Sequence, residues 1–209
     1  MSMKKLFFLF AFLVGLGISS SVYAQLVKEV TLTSANTLAS ELGTDVGKVT
    51  TLKVNGPLGA EDFQTMKEQM NMLQVLDMSG VTELPKVGRW NESVWEELQS
   101  IPGEAFQNKL TLQTVIFPKA LEMIDQEAFS GCNTLTEIDF SKATQLRSIG
   151  HRAFYECSGL RDLDLSACTS LVGIGSNAFY RCSNLQAVNF SGCGKLTSIG
   201  SYAFQYCSS

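Results

Sequence analysis

From residue 73 onward the apolar positions of this chain fall into two short patterns that alternate. The first is L-x-x-Φ-x-Φ-x-x-(C/A/V), with Φ apolar. It appears as LQVLDMSGV at 73–81, LQTVIFPKA at 112–120, LTEIDFSKA at 135–143, LRDLDLSAC at 160–168 and LQAVNFSGC at 185–193. Strict alternation predicts a half-buried strand, with Leu163 and Leu165 pointing one way and Asp162, Asp164 and Ser166 the other. The second pattern is an Ala-Phe block: IDQEAFSGC at 124–132, IGHRAFYEC at 149–157, IGSNAFYRC at 174–182 and IGSYAFQYC at 199–207, each starting 25 residues after the last. A looser copy, IPGEAFQNK, occupies 101–109. A fixed period of this length predicts a solenoid of stacked repeats.

Stacking is also what the apolar residues demand. One repeat cannot bury its own phenylalanine, and a column of Phe106, Phe129, Phe154, Phe179 and Phe204 runs through the blocks. Burying each stabilises the fold by roughly 1.5–3 kcal/mol. The small residue before each Phe lets the segment approach the sheet, and Gly150, Gly175 and Gly200 stand where a tight turn would need a permissive backbone. The strand pattern resembles that of leucine-rich repeats, and the Ala-Phe block with its trailing Cys is similar to the repeat of the BspA-like family of bacterial surface proteins. The resemblance spans about residues 73–209. It implies an α/β solenoid: a right-handed leucine-rich-repeat superhelix with a parallel concave sheet and short helical or 3-10 convex segments. It also implies display at a bacterial surface and adhesion to host or bacterial surface proteins.

Upstream, residues 25–72 read as a divergent N-terminal cap. Ser34–Leu42 predicts a short helix ending at Gly43, and Val49–Val54 predicts a strand whose Leu52 precedes Leu76 by 24 residues. Phe63, Met66 and Met70 form a helical stripe, expected as core. The spacing from Met78 to Phe117 is 39 residues, one period plus about 14, so an insertion is expected near 85–98. It carries both tryptophans, Trp90 and Trp95. Insertions of this kind often form the binding side of a solenoid, and Trp is common at interface hot spots. The competing reading is that both rings anchor the loop on a neighbouring repeat. At the other end the last repeat is incomplete, stopping at Cys207-Ser208-Ser209, which would leave the strand at 185–190 as an open edge.

Residues 1–24 combine Lys4 and Lys5, an apolar run from Leu6 to Ile18, and a Val22-Tyr23-Ala24 exit. The run has 13 residues against the roughly 20 a membrane span needs, so a cleaved signal peptide is expected rather than an anchor. The localisation that follows is the bacterial cell surface or extracellular space, with the periplasm as an alternative, and no membrane span after cleavage. Without Lys4 and Lys5, 14 of the 16 basic residues face 20 acidic ones, a net charge near −6. That balance argues against nucleic acid and anionic lipid as partners.

The six cysteines lie in two columns, Cys132, Cys157, Cys182 and Cys207 in one, Cys168 and Cys193 in the other. Val81, Ala120 and Ala143 share the second column, which favours buried thiols over the disulfide framework an exported chain could form. No zinc spacing, phosphate loop or nucleophile motif occurs. His151, the single histidine, sits at a variable repeat position and reads as surface. No cofactor is expected, and the chain is read as a binding module, not an enzyme. The candidate partner-binding residues are the outward strand positions Asp77, Glu137, Asp139, Asp162, Asp164 and Asn189, with Trp90 and Trp95 on the insertion. Adjacent strands would bring Asp139 beside Asp164 and Glu137 beside Asp162, an arrangement unfavourable for like charges. Either this patch awaits a basic protein or a divalent cation, or the acids are repeat consensus, solvated and idle. A structural spacer, or the N-terminal part of a longer surface protein, is the alternative function. The export reading is checked by N-terminal sequencing of the native protein: Gln25 is expected first, and retention of Met1 or Lys4 would contradict it.

Overall fold

The structure is a computed structural model that describes residues 25–91 and 94–207, with side chains described outside 89–95. The expected signal segment, residues 1–24, lies outside the described residues.

The chain opens with strand β1 (Leu26–Thr31), a short helix α1 (Leu38–Leu42) that runs into a 3-10 turn, and strand β2 (Val49–Pro57). Helix α2 (Ala60–Glu68) follows, then β3 (Val75–Glu83). Asp62 ties this first part together. Its buried carboxylate accepts the backbone N–H groups of Asn36 (2.7 Å), Leu38 (2.9 Å) and Gly59 (2.8 Å). It thereby satisfies amide donors at the starts of both helices that would otherwise lack partners. Phe63, Met66 and Met70 of the predicted stripe are buried.

Beyond β3 each repeat contributes one three-residue parallel strand on this side: β6 (Thr114–Ile116), β8 (Glu137–Asp139), β10 (Asp162–Asp164) and β12 (Ala187–Asn189). The order β1-β2-β3-β6-β8 is a continuous ladder, and β10–β12 is a second one beside it. Leu52 pairs with Leu76, Leu76 with Val115, and Val115 with Ile138, so the inward residues stack in register. Three-residue strands suffice because the ladder gains its bonds from repeat after repeat, not from strand length.

Opposite this sheet lies another parallel ladder of two-residue strands: β7 (Met123–Ile124), β9 (Ser148–Ile149), β11 (Gly173–Ile174) and β13 (Ser198–Ile199). Of the two expected forms, short helices or 3-10 turns, the Ala-Phe blocks that follow take the second, as chains of turns. The amides of Ala128, Ser130 and Cys132 bond to carbonyls three residues back, as in a 3-10 turn. The intervening amides of Glu127, Phe129 and Gly131 bond to His151, Ala153 and Tyr155 of the next repeat. Alternate amides are thus drawn out of the segment, and no helix can propagate. Two residues per block take positive φ, for example Arg152 (52°) and Glu156 (58°), at a typical strain of about 1–2 kcal/mol each.

The column Gly150, Gly175 and Gly200 has a different cause from the one the sequence suggested. None of the three has positive φ. A Cβ on Gly150 would stand 2.8 Å from the carbonyl carbon of Asp125, and one on Gly175 would stand 2.6 Å from that of Gly150. Glycine is required here by the approach of one repeat's backbone to the next.

Inside, Phe106, Phe129, Phe154, Phe179 and Phe204 stack with ring centroids 5.1 Å apart at every step. Offset aromatic contacts of this kind add roughly 0.5–1.5 kcal/mol each beyond burial. The first cysteine column has a polar role that small size alone does not explain. The thiols of Cys132, Cys157, Cys182 and Cys207 donate to the carbonyls of Phe106, Phe129, Phe154 and Phe179 at 3.0–3.2 Å. In the first copy Lys109 takes the column's place, and its amine reaches the Lys67 carbonyl at the end of α2 (3.3 Å).

All six cysteines are free thiols. Burial pushes Cys132 and Cys168 up to about 12, and Cys157 is also raised by its burial. At pH 8 only about one in 10⁴ of a thiol with such a pKa is thiolate, the reactive form. Iodoacetamide at pH 8 is therefore expected to leave Cys132, Cys157 and Cys168 unmodified in the native protein and to label all six in denaturant. Fast native labelling of these three, or two or more disulfides by mass spectrometry, would contradict the structure.

Candidate binding surfaces

The outward residues of the first sheet sit where alternation predicted, but their neighbours divide them. Asp77 pairs in register with Lys53 on one side and Ile116 on the other. Lys53 is itself bonded to Glu29 at 2.6 Å. Asp77 therefore belongs to a mixed-charge region and is separated from the other acids by Ile116. Glu137 pairs with Thr114, and Asp139 with Ile116. Asp162 pairs with Ala187, and Asp164 with Asn189. Glu137, Asp162, Asp164 and Asn189 are exposed, and Asp139 is half-buried.

The lower row of these residues has a structural job. Oδ1 of Asp77, Asp139, Asp164 and Asn189 accepts the amide of the residue two ahead, Ser79, Ser141, Ser166 and Ser191, at 2.7–3.0 Å. Each closes an Asx turn; at Asp139, Asp164 and Asn189 the turn ends the strand, while β3 continues past Asp77 to Glu83. Asn189 shows that an amide oxygen does this as well as a carboxylate, so the turn explains Asp or Asn but does not require charge. Serine and Asn189 hydrogen bonds hold the Asp164 carboxyl below the usual range.

The strands that carry the acids adjoin at a seam. β8 and β10 lie side by side, yet the backbone ladder is interrupted between them and resumes from β10 to β12. The break falls between the two strands that carry Glu137 and Asp139 on one side and Asp162 and Asp164 on the other. A cleft of about 150 Å³ opens there, lined by Ile138, Asp139, Phe140, Ser141, Asp164, Ser166 and Ala167. Among the described residues no group of three or more His, Cys, Asp or Glu side chains is arranged to hold a metal ion, which leaves the divalent-cation reading of this patch without a ligand set.

The insertion is a β-hairpin, not an irregular loop. Strand β4 (Lys86–Asn91) pairs antiparallel with β5 (Val94–Ile101), and the backbone of Trp90 stands opposite that of Trp95. The end of β5, Ser100 and Ile101, pairs with Met123 and Ile124, so the hairpin grows out of the second sheet. It consequently does not extend the acidic surface, which lies on the first. The hairpin leans along the solenoid: Glu96 is ion-paired with Arg147 at 3.0 Å. Between it and the second sheet runs a groove of about 470 Å³ that Val87, Gly88, Asp125, Gln126, Ser148, Gly173 and Ser198 help to line. His151 also lines it. This groove was not foreseen. Its sequence signals were the β-prone stretches on either side of Glu92-Ser93 and the small-residue column Ser148, Gly173 and Ser198.

The described thiols of the first column point inward to carbonyls, while His151 is exposed on the groove, so no Cys–His pair forms among them. Among the described residues no helix is long and apolar enough to cross a membrane.

Comparison with known proteins agrees with this architecture. The family model for the BspA type leucine rich repeat region matches residues 96–209 in six copies. Among solved structures, a leucine-rich repeat protein from Bacteroides ovatus ATCC 8483 aligns at 19% identity and a TM-score of 0.42, covering 77% of this chain and 47% of that one. A T. pallidum leucine rich repeat protein aligns at 26% identity and 0.35, covering 61% and 68%. A leucine rich cell surface protein from Faecalibacterium prausnitzii A2-165 aligns at 21% and 0.34, covering 57% and 43%. The chain thus spans about half the length of the B. ovatus protein. No curated protein matches it. The family match takes in more than half of the chain, every Ala-Phe block and the strands between them, and the chain belongs to the BspA-type leucine-rich repeat family.

Proposed function

We propose that the protein is an exported binding module of the bacterial surface or its surroundings, and that it holds a protein ligand through the acidic seam of the first sheet. Leucine-rich repeats of this family generally serve protein interaction, and the solved relatives include one described as a cell surface protein. The observation that carries the reading is the seam itself. The strands that carry Glu137, Asp139, Asp162 and Asp164 adjoin at the interruption between β8 and β10, and Asp139 and Asp164 line the cleft there.

A lysine or arginine entering that cleft relieves the repulsion between the facing acids and gains charge-assisted hydrogen bonds. The Asp139 and Asp164 carboxylates are already oriented, because a strand-ending Asx turn fixes each of them. The partner therefore pays little ordering entropy on the solenoid's side. A surface of this kind raises association rate and selectivity more than raw affinity, and salt screens it over about 8–10 Å. The lowered pKa of Asp164 keeps that carboxyl charged into mildly acidic solution.

The test is the double variant Asp139→Asn with Asp164→Asn, assayed against a surface protein recovered with the immobilised wild-type chain. Asparagine keeps the turns, as Asn189 does, so stability should change by no more than about 0.5 kcal/mol. Binding is expected to fall at least tenfold and to lose most of its salt dependence. Unchanged affinity in the folded double variant would reject this surface.

A further inference from the structure

We infer that the groove between the hairpin and the second sheet is a separate binding site for a neutral saccharide. Among the described residues, five polar groups of the groove have no hydrogen-bond partner: the hydroxyls of Ser148 and Ser198, the second carboxylate oxygen of Asp125, the side-chain amide of Gln126 and the His151 imidazole. Asp125 spends its other oxygen on the Gln126 amide N–H at 2.7 Å, which fixes the carboxylate at the rim. The floor is flat because the second-sheet column there is Ser148, Gly173 and Ser198. A Cβ on Gly173 would stand 2.9 Å from the Ser198 hydroxyl, so glycine leaves that hydroxyl room to lie over it.

Three features select the ligand class. First, the backbone of the floor is already used. The amides of Gly150, Gly175 and Gly200 bond to the carbonyls of Ile124, Ile149 and Ile174 at 2.8 Å. On the floor an extended peptide would find no row of free main-chain groups to pair with, as strand addition requires. Second, the described lining of the groove holds no lysine or arginine, and its rim carries the Asp125 carboxylate. Arg147, which borders the adjoining cleft, is paired with Glu96. The described lining therefore offers an anionic ligand repulsion and no lysine or arginine counter-charge. Third, the unpartnered groups mix acceptors with groups that both donate and accept. Vicinal hydroxyls, each donating and accepting, match such a set. The apolar C–H face of a pyranose ring can rest on Val87 at the hairpin wall.

The site is independent of the acidic seam, so each reading can fail without the other. The experiment is a printed array of neutral and sialylated or sulfated glycans probed with the full mature chain. Amide chemical-shift titration with cellotriose, maltotriose and triacetylchitotriose follows. Neutral glycans are expected to bind in preference to acidic ones, with shifts confined to residues 87–88, 125–126, 148–151, 173–175 and 198. The double change Gln126→Ala with His151→Ser alters two exposed residues, and Ser176 and Ser201 already fill the His151 position in other repeats. It should weaken binding at least tenfold without unfolding the chain, while Asp139→Asn with Asp164→Asn leaves glycan binding unchanged. Absence of binding to any neutral glycan, a preference for acidic glycans, or shifts located elsewhere would overturn the inference. Groove shifts produced by an unstructured peptide and by no glycan would overturn it equally.

Discussion

A methyl group on Gly150 would collide with the backbone of Asp125 and Gln126 one repeat earlier, and the same holds down the column to Gly175. This closeness of backbone to backbone is the constraint from which the rest of the molecule follows. It sets the repeats near enough for amides of each Ala-Phe block to bond to the next block, for the thiols to reach carbonyls a repeat away, and for phenylalanine rings to stack at 5.1 Å. A single repeat has none of these interactions. The solenoid is therefore stabilised almost wholly by contacts between neighbours, as expected of a quasi-one-dimensional fold.

The parts legible in the sequence were those that depend on side-chain pattern. Alternation in LRDLDLSAC placed Leu163 and Leu165 inside and Asp162 and Asp164 outside, and the 25-residue spacing aligned the phenylalanines. What escaped depends on backbone. The Ala-Phe blocks left short helices and 3-10 turns open; the bonds to the next repeat, which decide for the turns, have no sequence mark. The glycine column suggested flexibility when it records lack of space. The 14 extra residues suggested a loop, because period arithmetic detects length without shape. The candidate acids were found, but their turn-closing role was visible only as a recurring Asp-x-Ser or Asn-x-Ser, and the ladder break between β8 and β10 had no signal at all.

The two sheets give the molecule two different surfaces. On the first, charge accumulates where the backbone ladder is weakest, and the acids are pre-oriented by turns that an uncharged residue could also have closed. On the second, small residues expose a flat floor, and a hairpin braced by Glu96 and Arg147 turns that floor into a groove. Asn189 shows that the turn survives without charge, so the charge of Asp139 and Asp164 goes beyond what the turn requires. The hairpin has a share in the core, since Leu98 and Ile101 of β5 are buried, while its outer part forms the wall of the groove.

The central claim is that the carboxylates at the seam are the contact surface for a protein ligand. Carbodiimide labelling of the free and ligand-bound protein, read residue by residue by mass spectrometry, tests it most directly. The account predicts that bound ligand protects Glu137, Asp139, Asp162 and Asp164, while Glu127 and Glu156 on the turn segments label as before. Protection of Glu127 and Glu156 with undiminished labelling at the seam would contradict it.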